Sequence, residues 1–559
     1  MLIIRSRFWS MLIIIVEILI MVVGCTSQNP KIVASNNEPG QTETVAVSPL
    51  ATPVALSTTL IPATTAPVQD SGSVGLINPG FEEKDPNGKI TSWKHAGFED
   101  AVLIEDRGHS GDFRLTHKGT SLYQVETWQS LSGLKNGWYT LQAWVRSSGG
   151  QAASFIALKC DGGEKRVNIP STVPGYRWVH LTVSNEVTDG NCTVSLYSVG
   201  GPNTWASFDD LELVPGRVAL SILGADISSL NKSEAMGGVY KSSDGIPGDA
   251  LQILKLHGMN YARLRVWVNP ADGYHNKAEL LKMAVRLNNL GIKLLVDFHY
   301  SDNWADPGKQ YKPAAWKDLD FDQLKQAVYD HTYDVCSSLV SQGTPPDMVQ
   351  LGNEINAGML WPDGDYNHFD NLAALLKEGN RAVKDCSPST LVLLHIAEGG
   401  DNEMARWWFD NITRREVPFD VIGISYYPFW HGSLAELQGN LNDISARYGK
   451  DVIVVETAYA FTDQQGDSLA NIASRRLTTP GYPFTPKGQG RMLRDIMSIV
   501  RGVSNGRGLG IFYWDATWTA VPGNGWDSLD PASGNAWENQ ALFDFNDRAL
   551  PSLDEYLNP

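Results

Sequence analysis

The sequence predicts an α/β chain with a (β/α)8 barrel over residues 217–559 and an all-β jelly-roll sandwich over residues 73–216 in front of it. Three observations predict this. Eight near-continuous apolar runs recur after Pro215, as in strands buried on both faces. Stretches of 3.6-residue periodicity separate most of them. Ahead of them lie short alternating segments bounded by Gly, Asn and Asp. The length of 559 residues suits two large bodies at a prior of about one domain per 150 residues.

Taken in order, residues 1–25 read as a secretory lipoprotein signal. Arg5 and Arg7 lead into the apolar run MLIIIVEILIMVVG, which is shorter than a membrane span and is interrupted by Glu17. The run ends Val22-Val23-Gly24-Cys25, which resembles the bacterial lipobox. That resemblance implies a lipidated Cys25 and a chain anchored to a membrane at the bacterial cell surface. Residues 26–72 are Ser-, Thr- and Pro-rich with no aromatic residue, the composition of a disordered tether. Cys160 with Cys192 and Cys336 with Cys386 remain as two pairs. Export allows both to be disulfides, and buried thiols stay open for the second pair.

In the sandwich, strands are predicted at Leu122 to Val125, Gly137 to Val145, Ala153 to Lys159, Trp178 to Val183, Cys192 to Ser198 and Ser207 to Val214. The opening LINPGFEE and closing SFDDLELV resemble the framing of jelly-roll carbohydrate-binding modules. The resemblance implies a structural calcium near Asp209 or Asp210 and a sugar site among Trp93, Trp128, Trp144, Trp178 and Trp205. Strand tryptophans are otherwise core residues.

The barrel strands are predicted at LSILGADIS (from 220), YARLRVWV (261), KLLVDFHY (293), MVQLGNEI (348), LVLLHIAE (391), DVIGISYY (420), DVIVVETA (451) and GLGIFYWD (508). No Gly-rich phosphate loop follows the first, which argues against a doubly wound sheet. The formal charge of −17, from 45 Lys and Arg against 62 Asp and Glu, argues against a nucleic-acid partner. A neutral polysaccharide carries no such penalty, and 18 Trp suit sugar stacking.

Barrels of this kind carry their chemistry at the C-terminal ends of the strands. The polar and aromatic residues there are Arg265, His299, Asn353, Glu354, Tyr426, Tyr427, Glu456 and Trp514. Carboxylates on strands four and seven facing across a barrel mouth are the pair that a retaining glycosidase needs, at a separation of about 5 to 5.5 Å. Asn353-Glu354 and Glu456 are similar to the acid/base and nucleophile pattern of the clan A glycoside hydrolases. The motifs LRVWVNP, VDFHYSDNWADPGKQ, VQLGNEINAGMLWP, ISYYPFWHG, VVETAYAFT and FYWDATW resemble glycoside hydrolase family 53, the endo-β-1,4-galactanases.

That resemblance implies Glu354 as acid/base and Glu456 as nucleophile, acting on β-1,4-galactan with no cofactor required. It implies Arg265 beside Glu456, one of Tyr426 or Tyr427 bonded to it, and Asn353 on the sugar 2-OH. His299 then orients the network, and Trp514 forms a stacking floor. Trp304, Trp361, Trp430, His431 and Trp518 are candidates for further subsites, and Asp515 departs from the family pattern, which often has Glu there at a minor subsite contact. A calcium loop is implied at Asp467 and Asn471, with Leu469 where the family pattern has His. Two rival readings remain: another clan A glycanase acting on xylan, mannan or cellulose, and a non-catalytic glycan-capture lipoprotein.

Overall fold

The computed structural model describes residues 75–557 apart from 162, 174 and 176. The signal, Cys25 and the tether lie outside the described residues.

Ten strands form the sandwich: β1 (Lys94–Gly97), β2 (Val102–Asp106), β3 (Phe113–Lys118), β4 (Tyr123–Leu131), β5 (Gly137–Ser147), β6 (Ala153–Cys160), β7 (Gly163–Asn168), β8 (Val179–Val187), β9 (Cys192–Gly200) and β10 (Trp205–Pro215). They make two antiparallel sheets, ordered β1-β4-β9-β6-β7 and β2-β3-β10-β5-β8. Alternation sends Leu141, Ala143 and Val145 of β5 into the core and leaves Trp144 and Arg146 on the outer face. The six predicted strands are present. β1, β2, β3 and β7 were not predicted, and charge is the reason: β2 and β7 are edge strands with residues such as Glu105, Lys165 and Arg166, the composition that keeps an edge from pairing with another chain. Cys160 and Cys192 stand opposite each other on β6 and β9 and form a disulfide; Cys336 and Cys386 form another between helices Phe321–Ser341 and Phe369–Cys386.

The second region is a closed parallel barrel of β11 (Ile222–Asp226), β12 (Tyr261–Val266), β13 (Lys293–Phe298), β14 (Met348–Leu351), β17 (Leu391–Ile396), β18 (Val421–Ser425), β19 (Asp451–Thr457) and β20 (Gly508–Tyr513). A small hairpin, β15 (Gly358–Met359) and β16 (Gly364–Asp365), is inserted after β14. Side-chain caps start the surrounding helices where the chain must turn: Asp320 and Ser433 form capping boxes with Gln323 and Glu436. Ile222, Tyr261, Leu295, Met348, Leu393, Val421, Ile453 and Phe512 pack as one apolar layer inside the strands. Two residues further along, the inward positions turn polar, with Arg263, Asp297, Gln350 and His395. That change of layer makes the floor of the site.

The two regions are joined through edge strand β8. Gln438, on helix Leu434–Tyr448, accepts from the His180 N–H and donates to its carbonyl, both at 2.7 Å. Asn168 donates to Asp495 at 2.8 Å, on helix Pro486–Arg501. A Cβ on Gly502 would lie 2.3 Å from the His180 carbonyl oxygen, so the close approach requires glycine there.

Candidate active site

Glu354 follows β14 in the left-handed conformation, at φ 47° and ψ 51°. That strain costs on the order of 1–3 kcal/mol and is held by its surroundings. The Glu354 N–H donates to His395 Nδ1 at 3.3 Å. A nitrogen that accepts carries no hydrogen, so the His395 hydrogen is on Nε2, which donates to Ser425 Oγ at 2.7 Å. Ser425 in turn donates to Glu354 Oε1 at 2.6 Å. Oε1 is therefore an acceptor, and a proton on this carboxyl sits on Oε2. Burial, with the negative Glu456 next in weight, holds Glu354 well above the usual carboxylate range.

Glu456 has the opposite surroundings. Arg263 Nη2 lies 2.8 Å from its Oε1, and the Tyr427 hydroxyl donates to its Oε2 at 3.0 Å. Burial raises it to about 7, and Arg263 pulls it back. The same guanidinium meets Asp226 at 2.9 Å, Asp297 at 2.8 Å and Asn353 Oδ1 at 2.8 Å, and its Nε donates to Gln350 at 3.2 Å. One buried cation thus faces three carboxylates, with Glu354 beyond them. The excess of negative charge keeps a proton in the group, and the carboxyl without a cation partner, Glu354, retains it. Asn353 is fixed by Arg263 and by its own donation to Ala305 O at 2.8 Å, which leaves its second amide hydrogen for a ligand.

Two expectations are corrected. Arg263, not Arg265, lies against Glu456. Arg265 is also inward, one layer higher, where it pairs with Asp515 at 3.1 Å and Ser229 at 2.9 Å and lies 4.3 Å from the Trp304 ring centre. Asp515 is buried in that pair. Tyr426 points away from the mouth and donates to Gly432 O, because alternation allows only Tyr427 inward. His299 sits where an orienting residue should: it accepts from Trp267 Nε1 and Ala305 N on Nδ1, and Nε2 donates to Asp297 at 3.0 Å.

Trp514 joins a row of rings. Trp537 is 4.7 Å from it edge-on, Trp304 is 6.1 Å away, and Trp304 stacks on Trp518 at 5.7 Å. Trp430 reaches the row through Trp537, 6.1 Å away. Trp361 pairs edge-on with exposed Tyr311. His431 is buried and accepts the Tyr427 N–H, so it supports Tyr427 and touches no mouth. Sequence reasoning missed Arg263, Asp297, His395, Ser425 and Trp537. The i, i+2 spacing of Arg263 and Arg265 in a strand was the available signal for the first.

Near the predicted calcium loop, Asp467 accepts from Leu469 N at 2.7 Å and Asn535 N at 2.6 Å. Asn471 Oδ1 and Glu538 Oε2 are buried without a hydrogen-bond partner. Among the described residues no group of three or more His, Cys, Asp or Glu is assembled for a metal. In the sandwich, all four carboxylate oxygens of Asp209 and Asp210 are engaged, by His109, Ser110 and the Asp210 N–H. Trp93 is core, Trp128 is on β4, and Trp144 is covered by His109 at 3.9 Å and His180 at 5.0 Å. Trp178 and Trp205 are half-buried.

Residues 222–556 match the model of glycosyl hydrolase family 53. The endo-beta-1,4-galactanase of Bacillus subtilis is 34% identical over 369 residues, covering 60% of this chain and 85% of that protein. The arabinogalactan endo-beta-1,4-galactanase A of Emericella nidulans is 35% identical, covering 59% and 92%. The solved Ignisphaera aggregans GH53 catalytic domain is 40% identical with a TM-score of 0.58, covering 61% of this chain and 96% of that one. The chain belongs to glycosyl hydrolase family 53.

Proposed function

We propose that the protein cleaves β-1,4-linked galactan internally with retention of configuration. The observation that carries this is the unequal setting of two buried carboxyls: Glu354 keeps its proton on Oε2, and Glu456 is held toward its charged form by Arg263 and Tyr427. In the first step Glu354 gives its proton to the glycosidic oxygen as Glu456 attacks the anomeric carbon; the glycosidic bond breaks, and a galactosyl ester forms on Glu456. In the second, Glu354 takes a proton from water, whose oxygen displaces the Glu456 carboxylate. Two inversions give retention. Asn353 supports the step by donating to the 2-OH, and the Trp514 row supports stacking of neighbouring rings.

The test is reducing-sugar release from linear β-1,4-galactan, with xylan, mannan and cellulose alongside, for the parent and Glu456→Ala. Release from galactan alone, abolished by the substitution, is expected. Release from a different glycan overturns the substrate. Retention of galactan without release supports the capture reading.

Calcium fits the loop at Asp467 and Asn471, since hard oxygen donors suit it and two buried oxygens there, Asn471 Oδ1 and Glu538 Oε2, have no protein donor. The sandwich supports a second, non-catalytic hold on the glycan. The lipobox-like run supports a lipid anchor on Cys25 at the bacterial cell surface.

A further inference from the structure

The seam between the two regions holds one group that merely joining them does not require. Asp495 stands in the middle of helix Pro486–Arg501, 2% exposed, where an aspartate is a poor helix former and a buried charge is costly. Its Oδ2 accepts from two sides: from Asn168 Nδ2 of β7 at 2.8 Å and, within the barrel region, from the Tyr482 hydroxyl at 2.8 Å. Arg494 Nε donates to Oδ1 at 3.2 Å. Alternation explains Asn168: Val167 is in the sandwich core, so the next side chain leaves the sheet on its other face and meets the barrel helix. An apolar residue at 495 would join the two surfaces at least as well. What the carboxylate adds is direction, since two donors must converge on one oxygen.

From Tyr482 the contacts run on to the reacting groups. The Tyr482 carbonyl accepts the Tyr459 hydroxyl at 2.6 Å, and that hydroxyl accepts the Thr479 N–H at 2.9 Å. Tyr459 comes shortly after Glu456 in the chain, and its N–H donates to the hydroxyl of Tyr513, the last residue of β20, at 3.0 Å. Its ring stacks on Phe429 with centres 5.2 Å apart, and Phe429 follows closely on Tyr427, whose hydroxyl donates to Glu456. Phe484 closes the cluster edge-on to Tyr459 at 5.3 Å. One phenol thus ties the segment that carries Glu456 to the segment that carries its hydroxyl donor, and Tyr482 holds that phenol.

We propose that Asn168 of the sandwich is a positioning residue for the reaction in the barrel. By filling Asp495 Oδ2 it fixes the Tyr482 side chain. Tyr482 fixes Tyr459, and Tyr459 sets the 3.0 Å contact between Tyr427 and Glu456. The sandwich then braces the nucleophile, a role that needs no ligand on the sandwich. This rests on the reading of Glu456 as the nucleophile.

Asn168→Leu keeps the size of the side chain and removes the donor; Asn168→Ala, expected to behave alike, covers the case in which leucine does not fit. For the full chain acting on galactotetraose, with kcat taken per folded molecule from melting curves, kcat should fall about threefold at unchanged KM, the worth of one hydrogen bond. The acid limb of kcat/KM should move up, because a Tyr427 hydroxyl that sits less well supports ionised Glu456 less. Arg263, Asp226, Asp297 and Glu354, the other charged groups around Glu456, are not altered. In a Tyr482→Phe background, where the link is already cut, Asn168→Leu should change neither quantity further. Parent kcat and an unmoved acid limb in both Asn168 variants, even with a lower melting temperature, overturn the proposal, since the bond is then only part of the joint. Falls in kcat that multiply in the double variant overturn it as well, since Asn168 then does not act through Tyr482. Failure of the nucleophile reading shows separately, as reducing ends still released from the tetraose by Glu456→Ala.

Discussion

Arg263 in the barrel and Arg146 in the sandwich are both strand arginines beside aromatic residues, yet their settings are opposite. Arg263 is 1% exposed and has every nitrogen engaged, with three carboxylates, Asn353 and Gln350 around it. Arg146 has no such partner among the described residues. A group that must hold charge steady while bonds are made and broken is closed by the protein itself, because preorganised dipoles and charges need no rearrangement during reaction. Arg146, on the outer face of a sheet, is held by indole rings instead. The number of hydrogen-bond valences that the fold fills thus separates the charge that organises Glu456 from an arginine on an outer sheet face.

The largest break of this comparison comes from Arg263→Met. It strands Asp226, Asp297 and Glu456 without their cation. A loss of about 3–5 kcal/mol in unfolding free energy is expected in urea titrations. The expected fall in kcat/KM is roughly 10² to 10³-fold. Glu456, which Arg263 holds down, should also rise further, so activity begins at a higher pH on the acid side. Arg146→Ala should leave unfolding unchanged within about 0.5 kcal/mol, as an exterior substitution away from the core. Equal destabilisation by the two would erase the distinction.

Tyr427→Phe sharpens it with one oxygen. The Tyr427 hydroxyl stabilises charged Glu456, and bonds to charged groups contribute about 1.5–3 kcal/mol. A fall in kcat/KM of about tenfold or more should therefore appear with little change in melting. The acid limb of the pH profile should move up, because Glu456 must be ionised to attack and the substitution makes ionisation harder. A limb that stays in place would mean that Glu456 does not set it.

What the sequence made legible follows from these settings. The barrel was readable because strands buried on both faces are written as apolar runs, and the site because its carboxylates end those runs at Glu354 and Glu456. Arg263 was hidden inside a run: reading only the last polar residue of YARLRVWV finds Arg265 and stops one alternation short of the residue that touches Glu456. Ser425 and His395 look like ordinary strand residues, and only closure of the barrel brings them to Glu354. Trp537 lies in the loop after β20, where no strand end points to it. In the sandwich, the composition suggested stacking but could not show that Trp144 lies stacked on His109 and against His180.

Ser425→Ala makes the smallest change and tests the finest part of the argument. Ser425 donates to Glu354 Oε1, and that bond favours the ionised carboxylate, so its removal pushes an already raised Glu354 higher still. Glu354 must be protonated to act as the acid, so the alkaline limb of kcat/KM should shift to higher pH, opposite in kind to the acid-limb shift of Tyr427→Phe. The rate at the optimum should fall by only a few-fold, about the worth of one hydrogen bond of roughly 1 kcal/mol. Ser425 also marks which oxygen carries the proton. Without it, Oε1 and Oε2 compete, and part of the population presents its hydrogen inward, away from the leaving group. That part is inactive whatever the pH, so kcat should stay below the parent value across the whole plateau. A substrate whose leaving group departs without protonation, such as a dinitrophenyl galactobioside, should recover the parent rate in this variant. If the deficit is the same for that substrate as for galactan, Ser425 is doing something other than aiming the proton of Glu354.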